Sequence, residues 1–159
     1  MQKIPHLLIL SSILCFSQNE NKNFGQKKQW EFRAGLGVQK SLFTEAGIAY
    51  HKANYSDVGF YSQSFYSAVE YSFSGNIYAI KAGYEINTMM IATALETKYQ
   101  TNFCQNDFVI TPKIGVGLFG DMMLYYGYNI STNHNPFQNM GRHQFSLIAN
   151  IGKGFLKYH

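Results

Sequence analysis

The chain has 159 residues, enough for one domain and short of two ordinary ones. Charged residues are only 14% while aromatics reach 16%, nearly all Tyr and Phe, and the mean hydropathy is slightly negative; a bundle of apolar helices and a typical charge-rich soluble domain are both excluded. The net charge of +4 comes from scattered lysines, and the one dense run, Lys22, Lys27 and Lys28, has no aromatic–basic platform, which excludes a nucleic-acid surface.

The first element is a targeting segment. Lys3 supplies a positive start, and Leu7, Leu8, Ile9, Leu10, Ile13 and Leu14 form a short apolar run ending at Cys15 and Phe16. It is too short to span a bilayer as a helix and polar residues follow at once, so residues 1–18 read as a cleavable signal peptide, cut after Ser17 or Gln18. Leu14 is a poor residue to precede a lipidated cysteine, so Cys15 is expected to leave with the leader. Cys104 then has no partner and no disulfide framework is possible. Residues 19–28 read as a polar periplasmic tail. No later stretch has the ~18 apolar residues of a spanning helix, so the mature chain can cross a membrane only as a closed barrel.

From residue 29 to 159 the dominant signal has period two. The first strand, Trp30 to Val38, sets Trp30, Phe32, Ala34, Leu36 and Val38 against Glu31, Arg33, Gly35 and Gly37. The second, about Leu42 to Tyr50, sets Leu42, Ala46, Ile48 and Tyr50 against Glu45 and Gly47. The third sets Phe65, Val69, Tyr71 and Phe73 against Ala68, Glu70 and Ser72; the fourth sets Tyr78, Ile80, Tyr84 and Ile86 against Lys81, Gly83 and Glu85. In the fifth, Ile91, Thr93, Leu95 and Thr97 oppose Ala92, Ala94, Glu96 and Lys98. In the sixth, Phe108, Ile110, Ile114, Val116 and Leu118 oppose Thr111, Lys113, Gly115 and Gly117. The seventh alternates from Met122 to Ile130, with Tyr125, Gly127 and Asn129 on its second face. The last sets Phe145, Leu147, Ala149 and Ile151 against Gln144, Ser146 and Asn150. These are about eight strands of ~9–10 residues, the smallest size of single-chain outer-membrane barrel. Short hairpins are expected at Ser74-Gly75-Asn76, Asn87-Thr88 and Phe119-Gly120-Asp121. Longer polar connections are expected at 52–64, 101–107 and 131–142. Pro112 inside the sixth strand removes a ladder hydrogen bond, and a bulge is expected there.

A soluble lipocalin-like barrel turns its apolar face inward, whereas a membrane barrel turns it outward. The small residues decide between them. Gly35, Gly37, Gly47, Ala49, Ala68, Gly83, Ala92, Ala94, Gly115, Gly117 and Gly127 share the face that carries the charges. Glycine weakens a strand and a water-facing exterior has no need of it, but the crowded interior of a narrow barrel does. The polar face is therefore expected inside, with aromatics such as Trp30, Tyr50, Phe73, Tyr78, Phe108 and Tyr128 gathered at the ends of the apolar face as girdles. Glu31, Arg33, Glu45, Glu70, Lys81, Glu85, Glu96, Lys98 and Lys113 then form a lumen charge network, expected to plug the barrel and fix its register.

No catalytic constellation stands out, and the chain is not expected to be an enzyme. His143 and Ser146 fall on opposite faces of one strand. His51 and Glu45 share a face without a matched serine. His134 and His143 flank a polar loop, but no further ligand completes a metal set. Gly35–Gly37 lies inside a strand and is no phosphate loop. No cofactor is implied.

On strand number, alternation, glycine-rich lumen faces and mixed lumen charge, the chain resembles the small outer-membrane β-barrel proteins of the OmpX/OmpA-barrel type over about residues 29–158. The leader ending Cys15-Phe16-Ser17-Gln18 is similar to those of Bacteroidota secreted proteins, and Asn150, Gly152 and Phe155 resemble part of a terminal assembly signal, with Leu156 to His159 following. The resemblance implies an all-β, up-and-down antiparallel barrel in the cell outer membrane of a Gram-negative bacterium. It also implies a monomer that contacts outer-membrane lipid and the barrel assembly machinery, and a structural or adhesion-like role with surface ligands met through loops such as 131–142. Two alternatives stay open at this point: a narrow pore through the charged lumen, and a periplasmic soluble barrel for an apolar ligand.

Overall fold

The computed structural model describes residues 25–56, 59–118, 120–133 and 136–152. The leader, Cys15, His134 and the residues after Gly152 lie outside the described residues. The strands are β1 (Gly25–Gln39), β2 (Ser41–Ser56), β3 (Gly59–Ser72), β4 (Ile77–Thr88), β5 (Ile91–Thr101), β6 (Asn106–Leu118), β7 (Met122–Tyr128), β8 (Ile130–Ser131) and β9 (His143–Ile151). Every pairing is antiparallel; β5 pairs with β6, and β7 and β8 act as one interrupted strand, so eight staves close into a barrel.

The register fixes the barrel's size. From Lys28, paired neighbours run through Lys52, Gln63, Ile86, Thr93, Ile114, Tyr126 and Phe145 and return to β1 at Val38, a shear of ten residues. Eight strands with that shear tilt by about 43° around a backbone radius of about 8 Å. A radius this small leaves an interior that side chains fill.

The period-two pattern takes up its two faces as expected. Glu, Lys, Arg, Gln and Ser residues on alternate positions are buried, whereas Leu36, Ile48, Phe65, Val69, Ile80, Leu95, Ile114 and Val116 each keep more than half of their surface exposed. The polar face is inside and the apolar face is outside. A Cβ at Gly83 would stand 2.5 Å from the Tyr66 ring, so glycine there makes room for a large lumen side chain.

Strand ends depart from expectation. The stretch 52–64 is not a long connection: β2 runs to Ser56, β3 starts at Gly59, and Lys52 pairs with Gln63. The turn after β4 is Met89-Met90, and Asn87 and Thr88 belong to β4. The β5–β6 connection shrinks from 101–107 to 102–105, where Asn102 Oδ1 accepts from the Cys104 and Gln105 amides at 3.1 and 2.7 Å. β1 already begins at Gly25, so the last four residues of the expected tail belong to it. The connections at the end that holds Gly25 and Ile151 are therefore all short, and the longest one, 132–142, sits at the opposite end.

No bulge accommodates Pro112. Lys113 pairs with Gly127 and Ile110 with Ile130, the same register on both sides of the proline. Even-numbered β6 residues face this neighbour, as Phe108 O accepting from Thr132 N at 2.9 Å shows. Pro112 therefore brings no N–H to the place opposite Tyr128, and β7 and β8 separate there instead. Pro112→Val is expected to close this gap and to raise the unfolding midpoint by an amount equivalent to about 0.5–1.5 kcal/mol, read by denaturant titration; an unchanged midpoint would mean that the missing donor is not what divides the strand.

Candidate functional site

The lumen brings all nine charged residues of the expected network inside the barrel, each nearly or fully buried. Eight of them form one cluster. Arg33 donates from Nε to Glu45 at 3.1 Å and from Nη1 to Glu85 at 3.0 Å and Asn150 at 3.2 Å, and its guanidinium lies 3.8 Å from the centre of the Tyr66 ring. Lys81 bonds Glu45 and Glu70, and stands 3.7 Å from Glu96. Lys113 donates to Glu96 at 2.7 Å, and Lys98 lies 3.5 Å from Glu70 while bonding Gln39 and Gln144.

These are four carboxylates against four cations. A buried charge left unpaired is costly, and neutrality is what allows so many in a space this narrow. The ninth residue, Glu31, sits nearer the barrel end that holds Gly25 and Ile151 and takes His51 as partner at 3.0 Å, while Gln29 also bonds it. His51 thus shares a face with Glu45 but pairs with Glu31. Neutral side chains close the network: Tyr66 donates to Glu96 at 2.7 Å, Tyr125 to Glu85 at 3.3 Å and Asn150 to Glu85 at 3.2 Å. Tyr66 escaped the sequence reading, although its parity with Ala68 and Glu70 was the available signal. Gly83→Val is expected to push the Tyr66 ring off both Arg33 and Glu96, destabilising the fold by about 1–3 kcal/mol as overpacking does; a denaturation midpoint equal to the parent's would refute the tight fit.

The other candidates separate. Ser146 is buried in the lumen, while His143 is on the exterior, bonded to the Tyr126 hydroxyl at 2.7 Å and edge-on to Tyr128. Among the described residues no group of three metal-ligating side chains exists. Cys104 is exposed in its turn.

The loop after β8 is more than a solvated connector. Phe137 and Met140 are buried against Ile77, Gly141 N donates to Gln39 O at 3.0 Å, and Lys40 reaches Gln138 O. The loop thus folds over one mouth of the barrel. Beside it, between β8 and residues 140–142, lies a cavity of about 300 Å³.

Comparison of the chain with models of protein families, with curated proteins and with solved structures returned no match.

Proposed function

We propose that this chain is a small outer-membrane β-barrel protein of the OmpX/OmpA-barrel kind, non-enzymatic, with a structural or surface-interaction role. The observation that carries the reading is an apolar exterior wrapped around a polar interior whose central cluster is charge-balanced. Water would favour the reverse arrangement, and exposed apolar patches beyond a few hundred Å² are rare on soluble monomers. Here the exposed apolar residues encircle the barrel on every strand.

The band has the dimensions of a bilayer core. Between Trp30 at one end and Tyr78 at the other, no described outward strand position carries Asp, Glu, Lys or Arg. With the tilt and stagger of these strands that charge-free band is about 25 Å tall, the height of a lipid-facing belt. Aromatic pairs mark both margins: Trp30–Tyr50 and Phe65–Tyr84 on the terminus side, and Tyr71–Tyr78, Tyr78–Phe103 and Tyr128–His143 on the loop side. Below the lower margin, outward positions turn polar, with Lys28, Lys52, Asn54 and Gln63. Short turns on that side suit a periplasmic face, and the 132–142 loop suits the cell surface.

The ion-paired lumen supports a plug over a pore, and its charges leave no apolar cavity for a greasy ligand. Cell fractionation tests the reading: the chain is expected in outer membranes, migrating faster on gels before heating than after. A mature chain soluble without detergent would refute it. Steady current across planar bilayers at levels above protein-free membranes would refute the plug and revive the pore.

A further inference from the structure

We propose that the cavity beside β8 binds a small apolar α-amino acid or dipeptide at the cell surface, with its ammonium group inward and its carboxylate at the rim. The surface placement rests on the outer-membrane reading; the binding chemistry does not.

The cavity exists because β9 begins late. β9 pairs with β7 up to Tyr128, so the edge of β8 that faces away from β6 has no strand beside it. The chain returns past that edge as Met140, Gly141 and Arg142, held by Asn129, whose side chain donates to Gly141 O at 2.8 Å and whose amide donates to Arg142 O at 2.7 Å. The result is a recess of about 300 Å³ with a fixed rim, room for about ten water-sized groups.

Its inner end is built to accept hydrogen bonds. Gln100 lines the recess and is 2% exposed, and its Oε1 has no partner among the described residues. The amide orientation is set: Nε2 donates to Asp107 Oδ2 at 3.3 Å, and a flip would set two oxygens against each other. Asp107 is itself 2% exposed and bonds the Asn133 amide at 3.0 Å, with no cation beside it among the described residues. An uncompensated carboxylate behind an unsatisfied carbonyl oxygen makes this end attractive to an ammonium group. The outer end has the opposite sign. Arg142 lines the cavity, is exposed, and has no carboxylate partner among the described residues. A guanidinium in that position takes a carboxylate. Val109, Ile130 and Met140 supply apolar lining. A negative inner end, a positive rim and an apolar side match a zwitterion with an apolar side chain.

The test uses the full chain purified in detergent and calorimetric titration with four probes: L-leucine, L-leucyl-L-leucine, leucinamide, which lacks the carboxylate, and 4-methylpentanoate, which lacks the ammonium. At least one of the two zwitterions is expected to bind saturably, with both truncated probes at least tenfold weaker. Arg142→Ala is expected to weaken the zwitterion that binds about tenfold and leave leucinamide unchanged; Gln100→Leu is expected to weaken the same zwitterion and leave 4-methylpentanoate unchanged. Retained heat-modifiable migration shows that each variant is folded. Leucinamide binding as tightly as the zwitterion that binds, or no saturable heat with either zwitterion at millimolar concentration, would overturn the proposal. Fractionation is read separately, so leucine binding by a chain absent from outer membranes would sink the surface placement and keep the site.

Discussion

Arg33→Met should destabilise the folded barrel by about 3–5 kcal/mol, the range for breaking a buried ion pair by removing one partner. Arg33 is fully buried and, among the described residues, is the only cation bonded to Glu85; the other described partners of that carboxylate are the neutral Tyr125 and Asn150. Glu45 is less exposed to the loss because Lys81 still bonds it. The damage is therefore expected to come chiefly from Glu85, stranded as a buried charge. Arg33→Met combined with Glu85→Gln should consequently be more stable than Arg33→Met alone, since it removes the charge that the single change strands. Trp30, the only tryptophan of the sequence, reports unfolding by fluorescence during urea titration of the protein in lipid vesicles. A double variant less stable than the single one would show that the lumen is held by something other than charge balance.

That cluster shows what a sequence exposes and what it withholds. Alternation placed Arg33 and Glu85 on the same side of their strands, because side-chain direction has a period of two residues. It carried no information about their meeting, which depends on the ten-residue shear: β1 and β4 are not neighbours, and the two side chains reach each other across the lumen. The loss of signal over 52–64 has a different cause. Inward His51, Ala53, Ser62 and Ser64 alternate with outward Lys52, Asn54 and Gln63. Those positions are polar or small on both faces, and the aromatics Phe60 and Tyr61 fall one on each face, so the periodicity is lost while the pairing of β2 with β3 runs on to Ser56 and Gly59. Pro112 was read correctly as a missing donor, but the consequence was a gap in the neighbouring strand rather than an extra residue, because β6 keeps its pairing to β5 without interruption. Of the recess beside β8, only the polar loop was visible; Gln100, Asp107 and Arg142 lie on three different segments that closure alone brings together.

Leu147→Arg carries the second large effect, and its sign separates the two environments in which the exterior can sit. Leu147 is paired with Leu36 on one side and Leu124 on the other, near the middle of the band, and is 47% exposed. In a bilayer, arginine at mid-depth costs ~2–4 kcal/mol, while the same residue near the margin costs ~0–1 kcal/mol. Thr88, outward and exposed where β4 meets its turn, supplies the marginal position. Leu147→Arg is therefore expected to lower the stability of the vesicle-embedded barrel by ~2–4 kcal/mol, and Thr88→Arg by ~1 kcal/mol or less. In water the ordering disappears: arginine on an exposed surface changes stability by less than about 0.5 kcal/mol at either site and improves solubility. A depth-dependent penalty in vesicles would support lipid as the solvent of this band. Equal, small effects at both positions would place the exterior in water and would require a partner to cover it, because the interior is already occupied by the ion-paired cluster and has no room for the band to turn inward.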